Sequence, residues 1–312
     1  MDPDCLVESV PNFSEGRREA VIDEIVAAFA GAHPDVLMLD RSSDPDHDRS
    51  VVTLAGPPAA LVEAAVAGAA ACVRLIDLTR QHGAHPRMGA LDVLPFVPLG
   101  RLTQADCVEV ALTAGRRLVA EVGVPVYLYG AAASRPERAA LPAVRGRGFE
   151  ALRAAAASEP ARAPDLGGPA LHPTAGATAV GVRSFLVAYN VDLDSDDLDL
   201  ARRIAAAVRE RDGGLPAVRA LGIPLGRRGQ VQVSMNLLDT QVTPPATAFA
   251  AVARLAERAG VQVAGSEIVG LVPEAALAGV DPATLRLHGF SRDQVLEERL
   301  AQALAAHAGG AR

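Results

Sequence analysis

Lysine and tryptophan are absent from the 312 residues, and only seven phenylalanines and three tyrosines supply aromatic rings. All 30 basic residues are therefore arginine. The absence of lysine excludes chemistry that needs a side-chain amine, such as a lysine Schiff base, a P-loop lysine or the lysine of protein kinases. The scarcity of aromatic rings means that the core must be built from alanine, valine and leucine. Hydrophobic residues make up 50% and charged residues 21% of the chain, which is the balance of a folded globular protein.

The cysteines and the net charge exclude further classes. Cys5, Cys72 and Cys107 stand far apart without a CxxC spacing, which speaks against a disulfide scaffold or a zinc ribbon and indicates a reducing compartment. The formal net charge of −7 speaks against nucleic acid as a partner, because proteins that bind it usually carry clustered positive charge. Small anionic ligands remain open wherever arginines converge.

No segment has the pattern of a secretion signal or of a membrane span. The first four residues, MDPD, are acidic, whereas a signal peptide begins with basic residues followed by an apolar stretch. The apolar stretch at 61–73 is interrupted by Glu63 and ends before Arg74, so it is shorter and more polar than the roughly 20 residues of a membrane span. We predict a helix with one buried face, in a cytoplasmic protein without a membrane partner.

Apolar periodicity predicts a ferredoxin-like first half. The order is strand, helix, strand, strand, helix, strand (βαββαβ), with strands at 6–10, 36–39, 51–55 and 91–97 and helices ending near 30 and 78. A further helix at 103–122 and a strand at 124–129 are expected to extend this sheet. An Arg- and Ala-rich stretch and a Gly/Pro-rich loop at 161–177 follow, and the composition changes near residue 181.

The second half repeats this order, with strands at 184–189, 217–221, 230–237 and 261–264 and helices at 198–211 and 246–259. We therefore predict an α/β (α+β) fold of two ferredoxin-like βαββαβ subdomains, residues 1–181 and 182–312. Each sheet would carry helices on one face, so the two sheets are expected to face each other with the helices outside. A ligand site between the halves would follow, because clefts at domain interfaces favour small molecules. Asn12 and Asn190 fall after the first predicted strand of each half, as expected for paired loops at one cleft.

The segment 81–92, QHGAHPRMGALD, is the strongest candidate for chemistry. Histidine can take up and return a proton near neutral pH, and Pro86 would hold the chain rigid just after His85. The alternative is a polar connector whose glycines make turns. His82 and His85 are also spaced like half of a metal site, but no cysteine nearby completes one, so we expect no metal.

Two other polar segments each leave a structural and a functional interpretation open. The segment 44–49, DPDHDR, is a solvated loop or a site where Arg49 binds a substrate carboxylate, for which a planar guanidinium is suited. It lacks the glycine and the distant glutamate of a calcium loop. The loop at 165–176 is either a flexible linker or a loop that closes over a ligand.

Five runs carry a resemblance to a known family. The chain resembles glutamate formimidoyltransferases in VPNFSEG at 10–16, HPRMGALD at 85–92, VPVYLYG at 124–130, NLLD at 236–239 and VGLVP at 269–273. These runs occur in the family's order and span nearly the whole chain. The resemblance implies transfer of the formimino group from N-formimino-L-glutamate to N5 of tetrahydrofolate, which serves histidine degradation, in a cytoplasmic homodimer.

The resemblance also implies site residues. His85 corresponds to the family's catalytic acid/base, and Arg219 falls on or near the family's folate-contacting lysine. The family's folate loop corresponds to Gly167, Gly168, Pro169, Ala170, Leu171, His172, Pro173, Thr174, Ala175 and Gly176. For the reaction itself, we assign Arg49 and Arg87 to substrate carboxylates and Asn12 to a hydrogen bond with the pterin or the formimino nitrogen.

The sequence departs from the animal form of the family in two respects. The animal enzyme continues into a cyclodeaminase domain, whereas this sequence stops at Arg312, so we expect a stand-alone transferase. An aromatic residue near the end of the folate loop is replaced by the run PTA at 173–175. Two alternatives stay open, namely a related folate-dependent transferase that moves a formyl group or uses another formimino donor, and a folate-binding protein without turnover.

Overall fold

The computed structural model describes residues 1–45, 47–81, 87–146, 148–225 and 229–310. The chain forms two compact units, one of Met1–Arg183 with Ala303–Arg312 and the other of Ser184–Gln302. The mixed α/β class predicted from the sequence is confirmed, with one sheet in each unit.

The first unit begins with the predicted βαββαβ order. Its elements are β1 (Val7–Ser9), β2 (Asn12–Phe13), α1 (Glu19–Ala30), β3 (Leu37–Asp44), β4 (Arg49–Gly56), α2 (Pro58–Leu75), β5 (Leu91–Pro98), α3 (Gln104–Arg117), β6 (Val126–Gly130), α4 (Leu141–Arg145), α5 (Phe149–Ser158) and β7 (Thr178–Val182). Helix α3 begins where Thr103 and Asp106 form a reciprocal capping box, which satisfies backbone N–H groups at the helix start.

The sheet of the first unit has the strand order of a ferredoxin-like fold with two added strands. Strands β1 and β2 are successive parts of the first strand, and both pair with β4 and β5, while β3 pairs with β4. Strand β6 extends this sheet as predicted, and β7 lies between β5 and β6 and runs parallel to both. All five residues of β7 are buried, and the sequence pattern does not predict this strand, which follows directly after the loop predicted at 161–177.

One face of this sheet forms the main core with α1, α2 and α3. Helix α2 is longer than the predicted apolar stretch, and by length and composition alone its 18 residues could cross a membrane. Half of these residues are buried within the protein, as in the core helix of a globular domain. On the other face, α4 and α5 pack over Tyr127 and Tyr129.

The second unit is a second βαββαβ fold, as predicted. It contains β8 (Val187–Leu193), α6 (Leu198–Val208), β9 (Val218–Leu225), β10 (Gln230–Leu237), α7 (Pro245–Arg258) and β11 (Val263–Val269), and α8 (Leu296–Gly310) follows. The antiparallel strand order is β11-β8-β10-β9, and α6 and α7 cover one face. The prediction that Asn12 and Asn190 lie in loops after the first strand of each half is wrong, since Asn12 lies in β2 and Asn190 lies within β8.

Candidate functional site

The run at 10–16 continues the first strand and fixes the position of one arginine. The side-chain oxygen of Asn12 accepts hydrogen bonds from Nε and Nη2 of Arg49 at 3.1 and 2.7 Å. The amide nitrogen of Asn12 donates to the backbone oxygen of Val10 at 2.7 Å, so this side chain is anchored on its own strand. The structure thus brings together two of the three residues that we assigned to substrate.

The end of the run at 10–16, Glu15 and Gly16, lies between the start of α1 and the segment before Arg49. Oε1 of Glu15 accepts two backbone N–H bonds of 2.9 Å in the segment that leads into α1. A Cβ at Gly16 would lie 2.5 Å from the backbone nitrogen of Arg49 and closer still to the carbonyl oxygen of Asp44. Only glycine therefore fits at position 16. The run at 10–16 thus holds Arg49 in place, through the hydrogen bonds of Asn12 and the close packing at Gly16.

Asp92 is fully buried and joins two arginines. Its Oδ2 accepts hydrogen bonds from Nη1 of Arg49 and from Nη2 of Arg145, both at 2.7 Å, and its Oδ1 accepts one from the backbone N–H of Met88 at 2.7 Å. Burial alone would raise the pKa of Asp92, but the two guanidinium groups and the Met88 amide outweigh burial and hold it below its usual value. We call Arg49, Asp92 and Arg145 the Asp92 cluster.

The Asp92 cluster carries an excess of positive charge close to the surface. Two guanidinium groups face one carboxylate, and the side chains of Arg49 and Arg145 are 14% and 13% exposed, whereas that of Asp92 is 0% exposed. Burial lowers the pKa of Arg49, and the like charge of Arg145 acts in the same direction, against the effect of Asp92. An anionic group at this position would relieve the repulsion between the two arginines.

Arg87, the third residue assigned to substrate, connects three parts of the first unit. Its Nη2 donates to the backbone oxygens of Leu78 and Gln81 at 2.9 and 3.0 Å and forms an ion pair with Glu150 at 2.9 Å. These bonds tie the segment after α2 to the start of α5. The geometry supports a positioning role for Arg87 at least as well as a contact with substrate.

His85 lies in the segment 82–86, outside the described residues, and its assignment stays a prediction. The residues on either side of this segment are firmly held. Nε2 of Gln81 donates to the backbone oxygen of Asp48 at 2.9 Å, and the N–H of Met88 binds the Asp92 cluster.

The predicted folate loop has an exposed part and an anchored part. Residues 167–170 are exposed. The anchored part is a turn in which His172 and Gly176 exchange backbone hydrogen bonds of 2.9 and 3.0 Å and Nδ1 of His172 accepts from the N–H of Ala175 at 3.0 Å. Burial lowers the pKa of His172, which favours the neutral ring that this acceptor role requires.

The anchored part of the loop pairs with the chain that follows the predicted catalytic segment. The N–H of Ala177 donates to the oxygen of Met88 at 3.0 Å, and the N–H of Ala90 donates to the oxygen of Ala175 at 2.9 Å. The structure therefore brings the end of the predicted folate loop next to residues 88–90 and, through Met88, next to the Asp92 cluster.

A second set of polar groups lies on β1, β6 and just after β7, where Glu8 and Tyr129 are buried and Arg183 is half-buried. Glu8 is 1% exposed, and its Oε2 has no hydrogen-bond partner among the residues that the structure describes. Burial raises the pKa of Glu8 to about 7, against the opposing charge of Arg183. Burial also raises the pKa of Tyr129, and Arg183 and Arg145 oppose this effect, so these side chains lie within electrostatic reach of one another.

The second unit carries Arg219 and a separate group of polar side chains. Arg219 is exposed on β9, between the buried Val218 and Ala220, so it points away from the core of this unit. On β8, β10 and β11, Nδ2 of Asn190 donates to Glu267 at 2.9 Å, and Nε2 of Gln232 donates to Asp192 and Glu267 at 2.8 and 3.1 Å. We call Asn190, Asp192, Gln232 and Glu267 the Gln232 cluster.

Metal ligands do not converge in the part of the chain that the structure describes. Within residues 1–45, 47–81, 87–146, 148–225 and 229–310, no three histidine, cysteine, aspartate or glutamate side chains are placed to hold one ion.

Comparison with known proteins identifies the family to which these two units correspond. Residues 6–183 match the model of the formiminotransferase domain, N-terminal subdomain, and residues 188–291 match that of the formiminotransferase domain. The chain belongs to the formiminotransferase family. The resemblance inferred from the runs of the sequence is thereby confirmed.

Relatives within the formiminotransferase family are similar over nearly the whole chain. A protein of Streptococcus pyogenes named glutamate formimidoyltransferase is 44% identical, over 95% of this chain and 98% of its own length. A protein of Thermoplasma acidophilum with the same name is 43% identical, over 96% of this chain and 98% of its own length. The formimidoyltransferase-cyclodeaminase of Sus scrofa is 46% identical over 87% of this chain, which corresponds to 51% of that longer protein.

Sequence reasoning missed Arg145, Glu8 and Arg183. Arg145 stands in an Arg- and Ala-rich stretch whose local pattern does not distinguish it from other arginines. Glu8 did leave a signal, because it is a carboxylate inside the short apolar run at 6–10, where a strand buries its side chains.

Proposed function

We propose that this protein is a glutamate formimidoyltransferase, which transfers the formimino group from N-formimino-L-glutamate to N5 of tetrahydrofolate and releases L-glutamate. The observation that carries this proposal is the 44% and 43% identity to two proteins of that name over 95% and 96% of the chain. Tetrahydrofolate is then a co-substrate, and the reaction needs no metal. We also propose a homodimer that works in the cytoplasm, where cysteines stay reduced.

His85 acts as the general acid/base in this proposal. It accepts the proton that N5 loses as the bond from N5 to the formimino carbon forms. It then delivers that proton to the glutamate nitrogen as the bond from this nitrogen to the same carbon breaks. One group can do both because the pKa of histidine lies near neutrality, and such proton transfer contributes typically about 10²–10⁴-fold to the rate.

The substrates are oriented by groups on both sides of the segment that contains His85. Arg49 binds a substrate carboxylate, and Asn12 orients Arg49 in addition to its proposed contact with the pterin or the formimino nitrogen. Arg87 contacts substrate or holds the segment that does, through its bonds to Leu78 and Gln81. Residues 167–176 and Arg219 contact folate. Orientation of two substrates can supply roughly 7–11 kcal/mol of the barrier, so these groups matter as much as the proton carrier.

A coupled assay tests the reaction. The purified chain is mixed with N-formiminoglutamate and tetrahydrofolate, and an added cyclodeaminase converts the product to methenyltetrahydrofolate, which is followed by absorbance. His85→Ala should lower kcat by about 10²–10⁴-fold with substrate binding largely retained. His33→Ala, which alters a partly exposed histidine of the same unit, is the matched control and should leave kcat unchanged.

The outcomes separate the alternatives. Turnover with N-formylglutamate or another formimino donor in place of N-formiminoglutamate would favour a related transferase. Binding of tetrahydrofolate without turnover of any donor would favour a folate-binding protein. Equal kcat for the wild type and His85→Ala would remove His85 from the mechanism.

A further inference from the structure

Arg145 is the residue of the Asp92 cluster that neither the motifs nor the proposed mechanism uses. It ends the short helix α4, and its Nη2 lies 2.7 Å from the oxygen of Asp92 that also accepts the bond from Arg49. Two guanidinium groups that share one carboxylate oxygen are held side by side. Their common partner fixes the spacing between them, which is a requirement for a two-armed anion site.

The charge of the three side chains in the cluster favours a negatively charged ligand. Asp92 neutralises one of the two arginines, and the cluster keeps a formal charge of +1. A singly charged anion would balance it, whereas a phosphate group, with its charge of about −1.5 to −2 near neutral pH, would overbalance it. The planar fork of a guanidinium also matches a carboxylate, which can accept bonds from both arginines at once.

Arg145 has donor capacity in this location. Its Nε is buried and has no hydrogen-bond partner among the residues that the structure describes. A buried donor without a partner is unfavourable unless a ligand or water satisfies it. The same side chain is 13% exposed, so Arg145 lies near the surface of the protein.

We propose that Arg145 and Arg49 together bind one carboxylate of a glutamyl group, with Asp92 as the residue that positions both. The identity of the group rests on the proposed function, in which the formimino donor and the tail of tetrahydrofolate are both glutamyl compounds. The two sources share the same chemistry, and the experiment below separates them.

The test compares Arg145→Gln and Arg145→Lys with Arg116→Gln, which removes the charge of an exposed arginine on α3. Steady-state kinetics are measured with N-formiminoglutamate against either tetrahydrofolate or tetrahydropteroate, which lacks the glutamate tail. Arg145→Gln should raise KM for one glutamyl substrate by about tenfold or more and leave kcat within about threefold, the signature of lost binding. Arg145→Lys keeps the charge without the planar fork, so its KM should lie between those of the wild type and Arg145→Gln. Arg116→Gln should have the KM and kcat of the wild type.

The pattern of KM values identifies the source of the carboxylate. A raised KM for N-formiminoglutamate that persists with tetrahydropteroate assigns the carboxylate to the donor. A raised KM for tetrahydrofolate that disappears with tetrahydropteroate assigns it to the folate tail. KM values of both substrates within about twofold of the wild type, an equal rise in both, or a fall in kcat alone would each overturn the proposal.

A binding measurement keeps this inference separate from the proposed reaction. Calorimetry with L-glutamate and with tetrahydrofolate needs no turnover. Arg145→Gln should raise the Kd of one of these two ligands by about tenfold or more. If the wild type shows no transferase activity, the proposed function fails, and these Kd values still test the site. If the wild type is active and both Kd values are unchanged in Arg145→Gln, the inference alone fails.

Discussion

The two units build their polar clusters from the same strands of the βαββαβ order but give them opposite charge. In the first unit, the third and fourth strands of this order contribute Arg49 and Asp92 to the Asp92 cluster, and Asn12 on the first strand binds Arg49. In the second unit, the corresponding strands contribute Asn190 with Asp192, then Gln232, and then Glu267.

The charged side chains at three positions make the difference, namely Arg49 in place of Gln232, the added Arg145, and the single carboxylate of Asp92 in place of two. Arg49 brings a charge to the Asp92 cluster, and Arg145 adds another from α4, so that cluster has a formal charge of +1. Gln232 brings only an amide, which donates to both carboxylates of the Gln232 cluster and leaves a formal charge of −2. The topology thus decides where polar side chains meet, and the side chains at several positions together decide which sign of charge collects there.

The largest effect is expected when the charge of Asp92 is removed. Asp92→Asn keeps the size of the side chain but leaves Arg49 and Arg145 facing each other without a carboxylate. Breaking a buried ion pair in this way should lower the free energy of unfolding by about 4 kcal/mol, measured by urea denaturation at pH 7. Glu24→Gln, which breaks the exposed pair with Arg74, is the matched control and should change little.

The pH dependence of this variant provides a second check. The pKa of Asp92 is lowered in the folded protein, so its stabilising contribution is present above the unfolded value of 3.8 and is lost as the pH falls below it. The difference in free energy of unfolding between the wild type and Asp92→Asn should therefore become smaller below about pH 4. A difference that stays constant down to pH 3 would show that packing rather than charge is responsible.

Glu8→Gln should have the next largest effect, and it should stabilise the protein at high pH. The pKa of Glu8 rises from 4.5 to about 7 on folding, because burial favours the neutral carboxyl group. Ionisation of Glu8 therefore does not oppose folding below pH 4.5, and the free energy of unfolding falls as the pH rises from 4.5 to 7. The difference between these two pKa values corresponds to roughly 3 kcal/mol in the free energy of unfolding. At pH 8 the variant should be more stable than the wild type by up to that amount, and near pH 4.5 the two should be similar.

Urea denaturation at a series of pH values measures this difference. Glu109→Gln, at an exposed position of α3, is the control and should follow the wild type at every pH. Parallel curves for Glu8→Gln and the wild type from pH 4.5 to pH 8 would contradict the prediction, because they would mean that Glu8 ionises normally in the folded protein.

The local pattern of the sequence was sufficient for the two βαββαβ orders but not for the place of β7 or for the clusters. Alternating apolar residues and Pro/Gly breaks predicted both βαββαβ halves, because strands and amphipathic helices leave their period in the chain. The insertion of β7 between β5 and β6 depends on parallel pairing of distant segments, which no local period encodes. Likewise, Arg145 meets Asp92 from 53 residues away, and only the folded chain distinguishes it from other arginines.

Replacing Gln232 in the Gln232 cluster should destabilise the protein less than replacing Asp92 in the Asp92 cluster. Gln232→Leu has a similar volume but removes the two hydrogen bonds to Asp192 and Glu267, so the free energy of unfolding should fall by about 2 kcal/mol. Gln241→Leu, at an exposed position of the same unit, is the control. A loss for Gln232→Leu as large as that for Asp92→Asn would break the comparison, because it would mean that charge does not distinguish the two clusters.

Ser14→Ala is expected to have the smallest effect, and it tests whether the run at 10–16 holds the neighbouring strand in place. Ser14 is buried, and its hydroxyl donates to the backbone oxygen of Gly89 at 2.8 Å, two residues after Arg87. Loss of this bond should cost about 1 kcal/mol, measured by urea denaturation. Because the bond is local, hydrogen exchange should accelerate at residues 88–91 and stay unchanged in the second unit. Ser158→Ala, which removes an exposed hydroxyl at the end of α5, is the control, and unchanged exchange at residues 88–91 in Ser14→Ala would show that the backbone pairing alone positions this strand.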